Sequence, residues 1–521
     1  MIHFGFSYIG LIWLFMLFVP NILWTKNKPK DYERYVAKEN KILLILERIG
    51  EIAVSCCVLI FSDFNMKEFS IWSIWLLLSF VLMVLYEIYW LRYFKSNQTM
   101  QDFYSSICKI PVAGATLPVC AFFLLGLYGV NFPLMLSTII LGIGHIGIHR
   151  NHQKEVFERE KASKFRYVCK GIGTIILGLF LLVSTGIVGL KNATYLNCCI
   201  NTSNGIDEQS YVMLGGQEQY LHIRGKDVDN PVIVWLHGGP ASPDGCITYT
   251  FSDYLVDEYT FVCWDQRGCG RTYFKNRNID PNNDKVSFEQ AQMDLDELVD
   301  YLCTRFKTEK VIIMGHSYGT MLGSKYALNH PEKVSAYIGV GQVVNIESDI
   351  YSYEDALFVA KENKDDVSSM VEAYETYISN PTLTNMLNLR RYVSPYHVAK
   401  KEANTLWLGV KSPYMGIDDF RWFMKQLGSL DDFLALNSKL FQYIQTVDVR
   451  DYGLEYQMPV GFISGAKDWT TPVKYTEDYF HAITAPKKDF QVLEDCGHQP
   501  QCDSSKEFSK ILKEMLDDYV E

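Results

Sequence analysis

A serine between two glycines is the residue in this chain best suited to chemistry. Ser317 stands in Val-Ile-Ile-Met-Gly-His-Ser-Tyr-Gly, residues 311–319. A serine hydroxyl becomes an effective nucleophile when it is exposed, when a base takes its proton and when donors stabilise the oxyanion that forms. The pattern G-x-S-x-G, after an apolar run and before a helix-type sequence, exposes such a serine on a sharp turn. A glycine-flanked turn without chemistry is the less favoured alternative.

A histidine and an aspartate further along the chain supply the partners that this serine needs. His498 follows the last apolar run, in Leu-Glu-Asp-Cys-Gly-His, and we interpret it as the general base. Asp468 follows the preceding apolar run and would orient the imidazole. Asp495 is a competing carboxylate, but it is too close to His498 in sequence to be preferred. The chain order Ser, Asp, His is the order expected of an α/β-hydrolase.

Donors for an oxyanion are predicted in two loops. His-Gly-Gly-Pro at residues 237–240 follows an apolar run, and its glycines leave main-chain N–H groups free to face a reacting oxygen. We assign the oxyanion hole to the N–H groups of Gly239 and Tyr318, with Gly238 as the alternative register. His237 is interpreted as structural. His316, beside the nucleophile, is a candidate for lining the substrate pocket, and a packing role for it stays equally open.

The elements that must position these residues follow residue 190. Short apolar runs predict eight strands, the first two forming a hairpin around Gly215-Gly216. The predicted strands are residues 211–214, 220–224, 232–236, 261–264, 311–314, 336–340, 460–463 and 490–493. Helices are predicted at residues 288–306, 321–329 and 504–519. We therefore expect an α/β-hydrolase domain with a mostly parallel eight-stranded sheet, its core at residues 210–345 and 457–521, interrupted by a helical cap at 346–456 and preceded by a linker at 191–209.

Together these motifs resemble the proline iminopeptidase branch of the α/β-hydrolases. His-Gly-Gly-Pro, Trp-Asp-Gln-Arg-Gly-Cys-Gly-Arg-Thr at 264–272, Gly-His-Ser-Tyr-Gly and Lys-Tyr-Ala-Leu-Asn-His-Pro-Glu-Lys-Val at 325–334 match the order and spacing of that family. The resemblance implies a triad of Ser317, Asp468 and His498 that removes an N-terminal residue, often proline, from peptides. It also implies that Asp-Gln-Arg-Gly at 265–268 supports the sheet edge and the oxyanion loop. Ala241, Tyr318 and Thr272 differ from the usual family residues, which bears on the substrate.

An aminopeptidase must also bind a free ammonium group, and carboxylates near the cap are the expected partners. Glu347 and Glu354 are the candidates, with Asp418 and Asp419 behind them. A solvated acidic surface is the alternative for each of these residues.

The first 190 residues have the composition of a membrane domain. Six apolar runs predict transmembrane helices at residues 4–24, 49–61, 69–91, 111–130, 132–148 and 172–190. The second is the weakest, because Glu47, Arg48 and Glu51 lie in or beside it. Lysines and arginines gather in the loops after the first, third and fifth runs, which predicts a catalytic domain on the extracytoplasmic side of the cell membrane. These residues are Lys26, Lys28, Lys30, Arg34, Lys38, Lys41, Arg92, Lys95, Lys109, Arg150, Lys154, Arg159, Lys161, Lys164, Arg166 and Lys170.

Three histidines share one helical face at the end of the fifth apolar run. His145, His149 and His152 are spaced by four and three residues. They could form a metal or proton site, but interfacial histidines that face lipid headgroups are the favoured interpretation.

Charge and cysteine content limit the classes of partner. The formal net charge is -11, and no basic face emerges outside the short loops, so nucleic acid is excluded as the partner. Cysteine spacing does not suggest zinc. Cys496 and Cys502 flank His498 and could form a disulfide bond.

The sequence as a whole predicts a membrane-anchored, multi-pass serine hydrolase. It would be an aminopeptidase that cleaves short peptides through an acyl-enzyme and needs neither a metal nor an organic cofactor. One alternative is an esterase or lipid-directed hydrolase of the same fold. Another is a membrane sensor or transporter whose hydrolase-like domain only binds a ligand. The expected partners are a small peptide or ester substrate and the lipid bilayer, and the oligomeric state is left open.

Overall fold

The chain forms two compact units. The structure is a computed structural model that describes residues 2–36, 39–107, 109–157 and 164–520. One unit comprises Met1–Asn197 and Val410–Pro413, and the other comprises Cys198–Gly409 and Tyr414–Glu521. Lys38, Arg159 and Lys161, which contribute to the predicted topology, lie outside the described residues.

Six long helices make up most of the described part of the first unit. Four of the described helices are long and apolar enough to cross a membrane, namely Tyr8–Lys26, Ile71–Phe94, Phe132–Val156 and Gly171–Cys198, and Ala113–Gly129 is a shorter apolar helix. The weakest predicted span falls in Lys41–Ile60, which carries Glu47, Arg48 and Glu51 and is not among the four. Length and composition thus support four of the six predicted spans. The helix bounds are Tyr8–Lys26, Lys41–Ile60, Ile74–Phe94, Ala113–Gly129, Phe132–Val156 and Lys164–Cys198, with short helical segments at Glu33–Val36, Ser62–Phe64, Ile71–Ser73 and Met100–Phe103.

Glycines bring two of these helices into close contact. A Cβ atom added to Gly50 would lie 2.5 Å from Leu141 Cα, and one added to Gly144 would lie 2.3 Å from the backbone nitrogen of Glu47. No larger residue fits at either position without a shift of the backbone. Small residues at such contacts let helix backbones approach closely. The helices Lys41–Ile60 and Phe132–Val156 therefore pack with their main chains almost touching.

An eight-stranded sheet forms the centre of the second unit. Its strand order is β1-β2-β4-β3-β5-β6-β7-β8. Pairing is antiparallel for β1 with β2 and for β2 with β4, and parallel for all other neighbours. The predicted mostly parallel eight-stranded sheet is confirmed. The strands are β1 Ile206–Leu214, β2 Gln217–Gly225, β3 Val232–Leu236, β4 Thr260–Trp264, β5 Val311–His316, β6 Val334–Val340, β7 Val460–Gly465 and β8 Lys488–Leu493.

Alternation along the central strands sends side chains into two apolar cores. In β3, Val232, Val234 and Leu236 join one cluster, whereas Ile233 and Trp235 join the other. The first cluster includes buried residues of Phe288–Phe306 and Tyr318–Asn329, and the second includes buried residues of Ser505–Val520. Burial on both faces explains why these strands are continuous apolar runs. The other helices outside the insertion are Tyr249–Ser252, Gly270–Asn276, Val473–Ala482 and Pro500–Asp503.

Helices fill the interval between β6 and β7, where the sequence predicts a cap. Part of this insertion has its own apolar cluster, which contains Tyr353, Met370, Tyr377 and Leu389. The insertion therefore contributes a small core of its own beside the sheet. Its helical segments are Ser348–Asn363, Ser368–Ser379, Leu383–Val393, Ser394–Tyr396, Thr405–Lys411, Ile417–Leu427, Leu430–Leu436, Ser438–Thr446 and Val449–Tyr452.

A buried ion pair joins the start of the sheet to the loop after β4. Arg267 Nε donates to Asp294 Oδ2 at 2.7 Å, and Arg267 Nη2 donates to Asp294 Oδ1 at 2.7 Å and to the Gly215 carbonyl at 2.8 Å. The side chains are only 3% and 0% exposed. Arg267 thus ties the hairpin turn to the helix Phe288–Phe306.

Replacing Asp294 with alanine should destabilise the second unit by about 3–5 kcal/mol, because the buried Arg267 charge would lose its partner. Denaturant unfolding of the detergent-solubilised chain, followed by tryptophan fluorescence, measures this loss. Asp296→Ala, on the same helix, removes a carboxylate whose side chain is 35% exposed and which pairs with Lys333. It should cost no more than about 1 kcal/mol. Equal losses in the two variants would contradict the importance assigned to the buried pair.

Candidate active site

Ser317 lies on the turn between β5 and the helix Tyr318–Asn329. Its backbone angles are φ 51° and ψ -123°, a conformation rarely adopted by residues other than glycine. A Cβ atom added to Gly319 would lie 2.0 Å from the Leu236 carbonyl oxygen, and one on Gly315 would lie 2.4 Å from the Gly319 carbonyl oxygen. Both positions therefore require glycine, and the strand–turn–helix geometry is that of a nucleophile elbow.

Asp468 and His498 are joined by a hydrogen bond. His498 Nδ1 and Asp468 Oδ2 are 2.8 Å apart, and the aspartate side chain is 0% exposed. The N–H groups of Thr470 and Thr471 donate to Asp468 Oδ1 at 2.8 and 2.9 Å, and Thr471 Oγ1 donates to Oδ2 at 2.6 Å. Burial alone would raise the pKa of Asp468, but the charge of His498 and these hydrogen bonds hold that pKa below its ordinary value. The carboxylate is thus fixed in its ionised form against the imidazole.

Asp495, the competing carboxylate, has other partners. Its oxygens lie 3.5 Å from Lys400 Nζ and 3.8 Å from Lys401 Nζ. The interaction with His498 therefore belongs to Asp468.

Ser317 and His498 line one cavity of about 430 Å³, together with Gly238 and Gly239. A Cβ atom added to Gly238 would lie 3.0 Å from Ser317 Cβ, so the loop passes directly over the serine. Gly239 has φ 119°, a value that favours glycine. Tyr318 is the first residue of its helix, and such a residue has no acceptor for its N–H group within the helix. The N–H groups predicted as oxyanion donors thus lie on the two segments that meet at Ser317.

The two neighbouring histidines, His237 and His316, are held in neutral form. Burial lowers the pKa of His237 to about 4 and that of His316 to about 3. His237 Nε2 accepts from the backbone N–H of Gln266 at 3.4 Å, which connects the glycine loop to the Asp-Gln-Arg-Gly segment. His316 Nε2 donates to the His498 carbonyl oxygen at 2.8 Å, and its ring stacks on Trp235. His316 both lines the cavity and positions the loop that carries His498.

The carboxylates predicted to bind an ammonium group differ in whether they line a cavity. Glu347 and Glu354 are both exposed and line neither of the cavities described here. Glu347 accepts a hydrogen bond from the Tyr475 hydroxyl at 2.9 Å instead. Asp418 pairs with Arg421 at 2.7 Å, whereas Asp419 lines the 430 Å³ cavity. Asp419 is paired with Arg271, whose Nε donates to it at 3.0 Å.

Asp244 is a cavity residue that the sequence did not single out. It lines the 430 Å³ cavity, accepts a hydrogen bond from Trp235 Nε1 at 2.8 Å, and forms no ion pair with a basic residue of the described chain. Burial raises its pKa to about 6. Its position four residues after Pro240, in the same loop as the glycines, was the available signal.

A second cavity of about 240 Å³ also reaches Ser317, Gly239 and Tyr318. Most of its lining residues are apolar, and the charged ones are Asp349 and Arg390, with Asp349 Oδ1 accepting from Arg390 Nε at 2.7 Å. The other polar residues of the wall are Asn345, Ser348, Gln445 and Thr470. Ser317 therefore lies between two cavities, and the smaller one has the more apolar wall. The apolar wall consists of Met321, Val343, Ile346, Leu383, Met386, Leu387, Leu430, Phe433, Leu434, Phe441 and Ile444.

The suggested disulfide bond beside His498 is not formed. Cys496 and Cys502 are both free, buried thiols. Burial raises the pKa of Cys496 to about 11, and it also raises that of Cys502. Both groups are therefore thiols rather than reactive thiolates at neutral pH.

The fold class agrees with a match to a protein family. Residues 231–408 match the family described as "alpha/beta hydrolase fold". Together with the sheet order, this match shows that the second unit has the α/β-hydrolase fold.

Proteins similar to this chain include a named aminopeptidase and named proline iminopeptidases. "Probable aminopeptidase YbaC" of Bacillus subtilis is 24% identical over 317 residues, which cover 57% of this chain and 93% of the relative. A proline iminopeptidase of Heyndrickxia coagulans is 24% identical over 318 residues, covering 58% and 96%. A solved proline iminopeptidase-related protein from Thermus thermophilus is 20% identical, with 60% of this chain and 99% of that chain covered and a TM-score of 0.42. The family match and the curated relatives support the proline iminopeptidase-like branch of the α/β-hydrolases.

Proposed function

We propose that the second unit is a serine hydrolase that acts as an aminopeptidase of proline iminopeptidase type on short peptides. The observation that carries this proposal is the Asp468–His498 hydrogen bond of 2.8 Å, beside a cavity that His498 shares with Ser317 on its strained turn. The names of the relatives from Bacillus subtilis and Heyndrickxia coagulans add support for peptide substrates.

In the proposed mechanism, His498 takes the proton of the Ser317 hydroxyl as the oxygen attacks the scissile carbonyl. Asp468 holds the imidazole in the tautomer that presents Nε2 as the base and stabilises the imidazolium. The N–H groups of Gly239 and Tyr318, or of Gly238 in the alternative register, stabilise the oxyanion. His498 then protonates the leaving amine, and water hydrolyses the acyl-enzyme by the reverse sequence of proton transfers.

Recognition of the substrate ammonium is assigned to Asp244. Of the aspartates that line the two cavities, Asp419 is paired with Arg271 and Asp349 with Arg390, whereas Asp244 accepts hydrogen bonds from the neutral Trp235 indole and from its own backbone N–H. A carboxylate without a cationic partner gains more from a cationic ligand than one that is already paired, and Asp244 is only partly buried, so a ligand in the cavity can reach it. Asp244 therefore replaces Glu347 and Glu354 in the proposed substrate site.

Anchoring in a membrane is part of the proposal. The helix Gly171–Cys198 presents apolar side chains outward, including Leu182 at 70% and Ile175 at 63% exposure. Exposed apolar surface of this extent is unfavourable in water and favourable in lipid. With all six predicted spans counted, the basic loops alternate and favour a catalytic domain on the extracytoplasmic side of the cell membrane.

An esterase or lipid-directed hydrolase is the second candidate. The cavity of about 240 Å³ reaches Ser317, and its mostly apolar lining suits an acyl chain.

The purified full-length chain in detergent should react covalently with a fluorophosphonate probe, and Ser317→Ala should abolish this labelling. Proline amide and short acyl-ester reporters, assayed side by side, separate the two candidates. We expect the wild type to have a higher kcat/KM for the proline amide, and Ser317→Ala to lose at least about 10³-fold on both substrates. Preference for the ester would favour the second candidate. A folded wild type that resists labelling would mean that the domain only binds ligands.

The ratio of kcat/KM for a peptide amide to kcat/KM for an uncharged ester should fall as the pH drops below about 6. Burial raises the pKa of Asp244 to about 6, so the carboxylate is ionised above this pH and protonated, without attraction for ammonium, below it. Ionisation of groups that both reactions use affects both substrates alike and cancels in the ratio.

Asp244→Asn should lower this ratio about 30-fold at pH 8, equivalent to about 2 kcal/mol, and remove its pH dependence. Glu354→Gln, a change at an exposed residue outside both cavities, is the matched control and should leave the ratio unchanged. The reverse pattern in the two variants would show that Glu354, not Asp244, binds the ammonium.

A further inference from the structure

Three side chains of metal-binding type meet in the first unit, apart from the proposed hydrolase chemistry. Glu47 of the helix Lys41–Ile60 and His145 and His149 of the helix Phe132–Val156 each place a ligand atom within 4.8 Å of the others. His145 Nδ1 lies 2.5 Å from Glu47 Oε1. The carboxylate and the imidazoles come from parts of the chain 98 residues apart, so the fold brings them together.

Close packing of the two helices fixes these side chains. Gly144 precedes His145 and faces the Glu47 backbone, with no room for a Cβ atom. Gly50, one turn after Glu47, meets Leu141 in the same way. The contact between the helix backbones keeps the ligand set together. His145 Nδ1 and Glu47 Oε1 are hydrogen-bonded at 2.5 Å, so a metal ion must displace the proton between them and move the two atoms to about 3.3 Å, the ligand spacing of a tetrahedral site with bonds of about 2.0 Å.

Tyr104 orients the second histidine. Its hydroxyl is 2.9 Å from His149 Nδ1 and 3.2 Å from His152 Nδ1. A hydrogen bond at Nδ1 leaves Nε2 of His149 as the nitrogen available to a metal ion. Histidine ligands in metalloproteins commonly have such a partner on the other ring nitrogen.

The contacts of this cluster argue against histidines that face lipid headgroups, and its members differ in burial, since His145 and His149 are partly exposed. His152 is 5% exposed and Glu47 is 8% exposed. His152 lies 3.6 Å from Glu39 and contacts Tyr104, so it supports the cluster from outside. Ionisable residues inside apolar helices are costly and commonly mark functional sites.

The donor set defines the class of ligand. Two imidazole nitrogens and one carboxylate oxygen suit first-row transition metals, whereas Ca²⁺ and Mg²⁺ prefer oxygen ligands. Three protein ligands also leave a coordination position open, as in catalytic zinc sites and unlike closed structural ones. The geometry points to a binding site for one divalent transition-metal ion, with Zn²⁺ as the best match, formed by Glu47, His145 and His149 and positioned by Tyr104.

Metal binding by the full-length, detergent-solubilised chain tests this site. After treatment with a chelator, equilibrium dialysis against Zn²⁺ and elemental analysis should give one tightly bound ion per chain. Bound Co²⁺ should give the visible absorption bands that are typical of a low coordination number. Glu47→Gln and His149→Gln should abolish the tight site, and Tyr104→Phe should weaken Zn²⁺ binding about 10–100-fold because the ring stays and only the hydroxyl is lost.

His481→Ala removes an exposed histidine of the helix Val473–Ala482 and is the matched control, with unchanged stoichiometry. Size-exclusion chromatography and thermal unfolding of each variant establish that the protein is folded. Tyr104→Phe provides a graded test that leaves all three ligands in place. Absence of tight Zn²⁺ binding to the wild type, or equal binding by folded Glu47→Gln and His149→Gln, would overturn the proposal.

Discussion

The hydrogen bond between Asp468 and His498 is the interaction on which the proposed active site depends. Three donors from Thr470 and Thr471 fix the carboxylate, and the His316 ring fixes the main chain of His498. Hydrogen bonds to a charged group contribute about 1.5–3 kcal/mol each, enough to offset the cost of burying the aspartate. The imidazole is therefore held from two sides before any substrate binds, and such preorganisation is what general-base catalysis requires.

Close backbone contacts place the other groups around this pair. Gly315 and Gly319 allow the turn that carries Ser317, and Gly238 lets the loop after β3 cross over it. Glycines have the same effect in the first unit, where close packing at Gly50 and Gly144 brings Glu47 near the histidines. In both units, glycines permit distant segments to meet, and the polar side chains beside those glycines gain partners far away in sequence.

The central strands and the nucleophile turn could be predicted because their signals are local. β3 and β5 are fully buried and appear as unbroken apolar runs, and G-x-S-x-G marks its own turn. The N-terminal part of β1 was not predicted, because Asp207, Glu208 and Gln209 form a polar, partly exposed edge. The cavity carboxylates could not be ranked, since only the fold shows that Arg271 neutralises Asp419 and that Asp244 has no such partner. Glu47 is a similar case. It weakened the prediction of a membrane helix, because the sequence does not show that its partner, His145, lies on another helix.

The rate of acyl-enzyme formation in Asp468→Asn tests the central claim most directly. Asparagine preserves the shape of the buried site, but its amide N–H donates to His498 Nδ1 where the carboxylate accepts from it. The imidazole would therefore present the wrong tautomer to Ser317. Stopped-flow acylation by an activated ester should slow by about 10⁴-fold, as the same exchange does in serine proteases, while the substrate Kd stays near the wild-type value. Acylation within tenfold of the wild-type rate by the folded variant would contradict the account, because His498 would then act without Asp468.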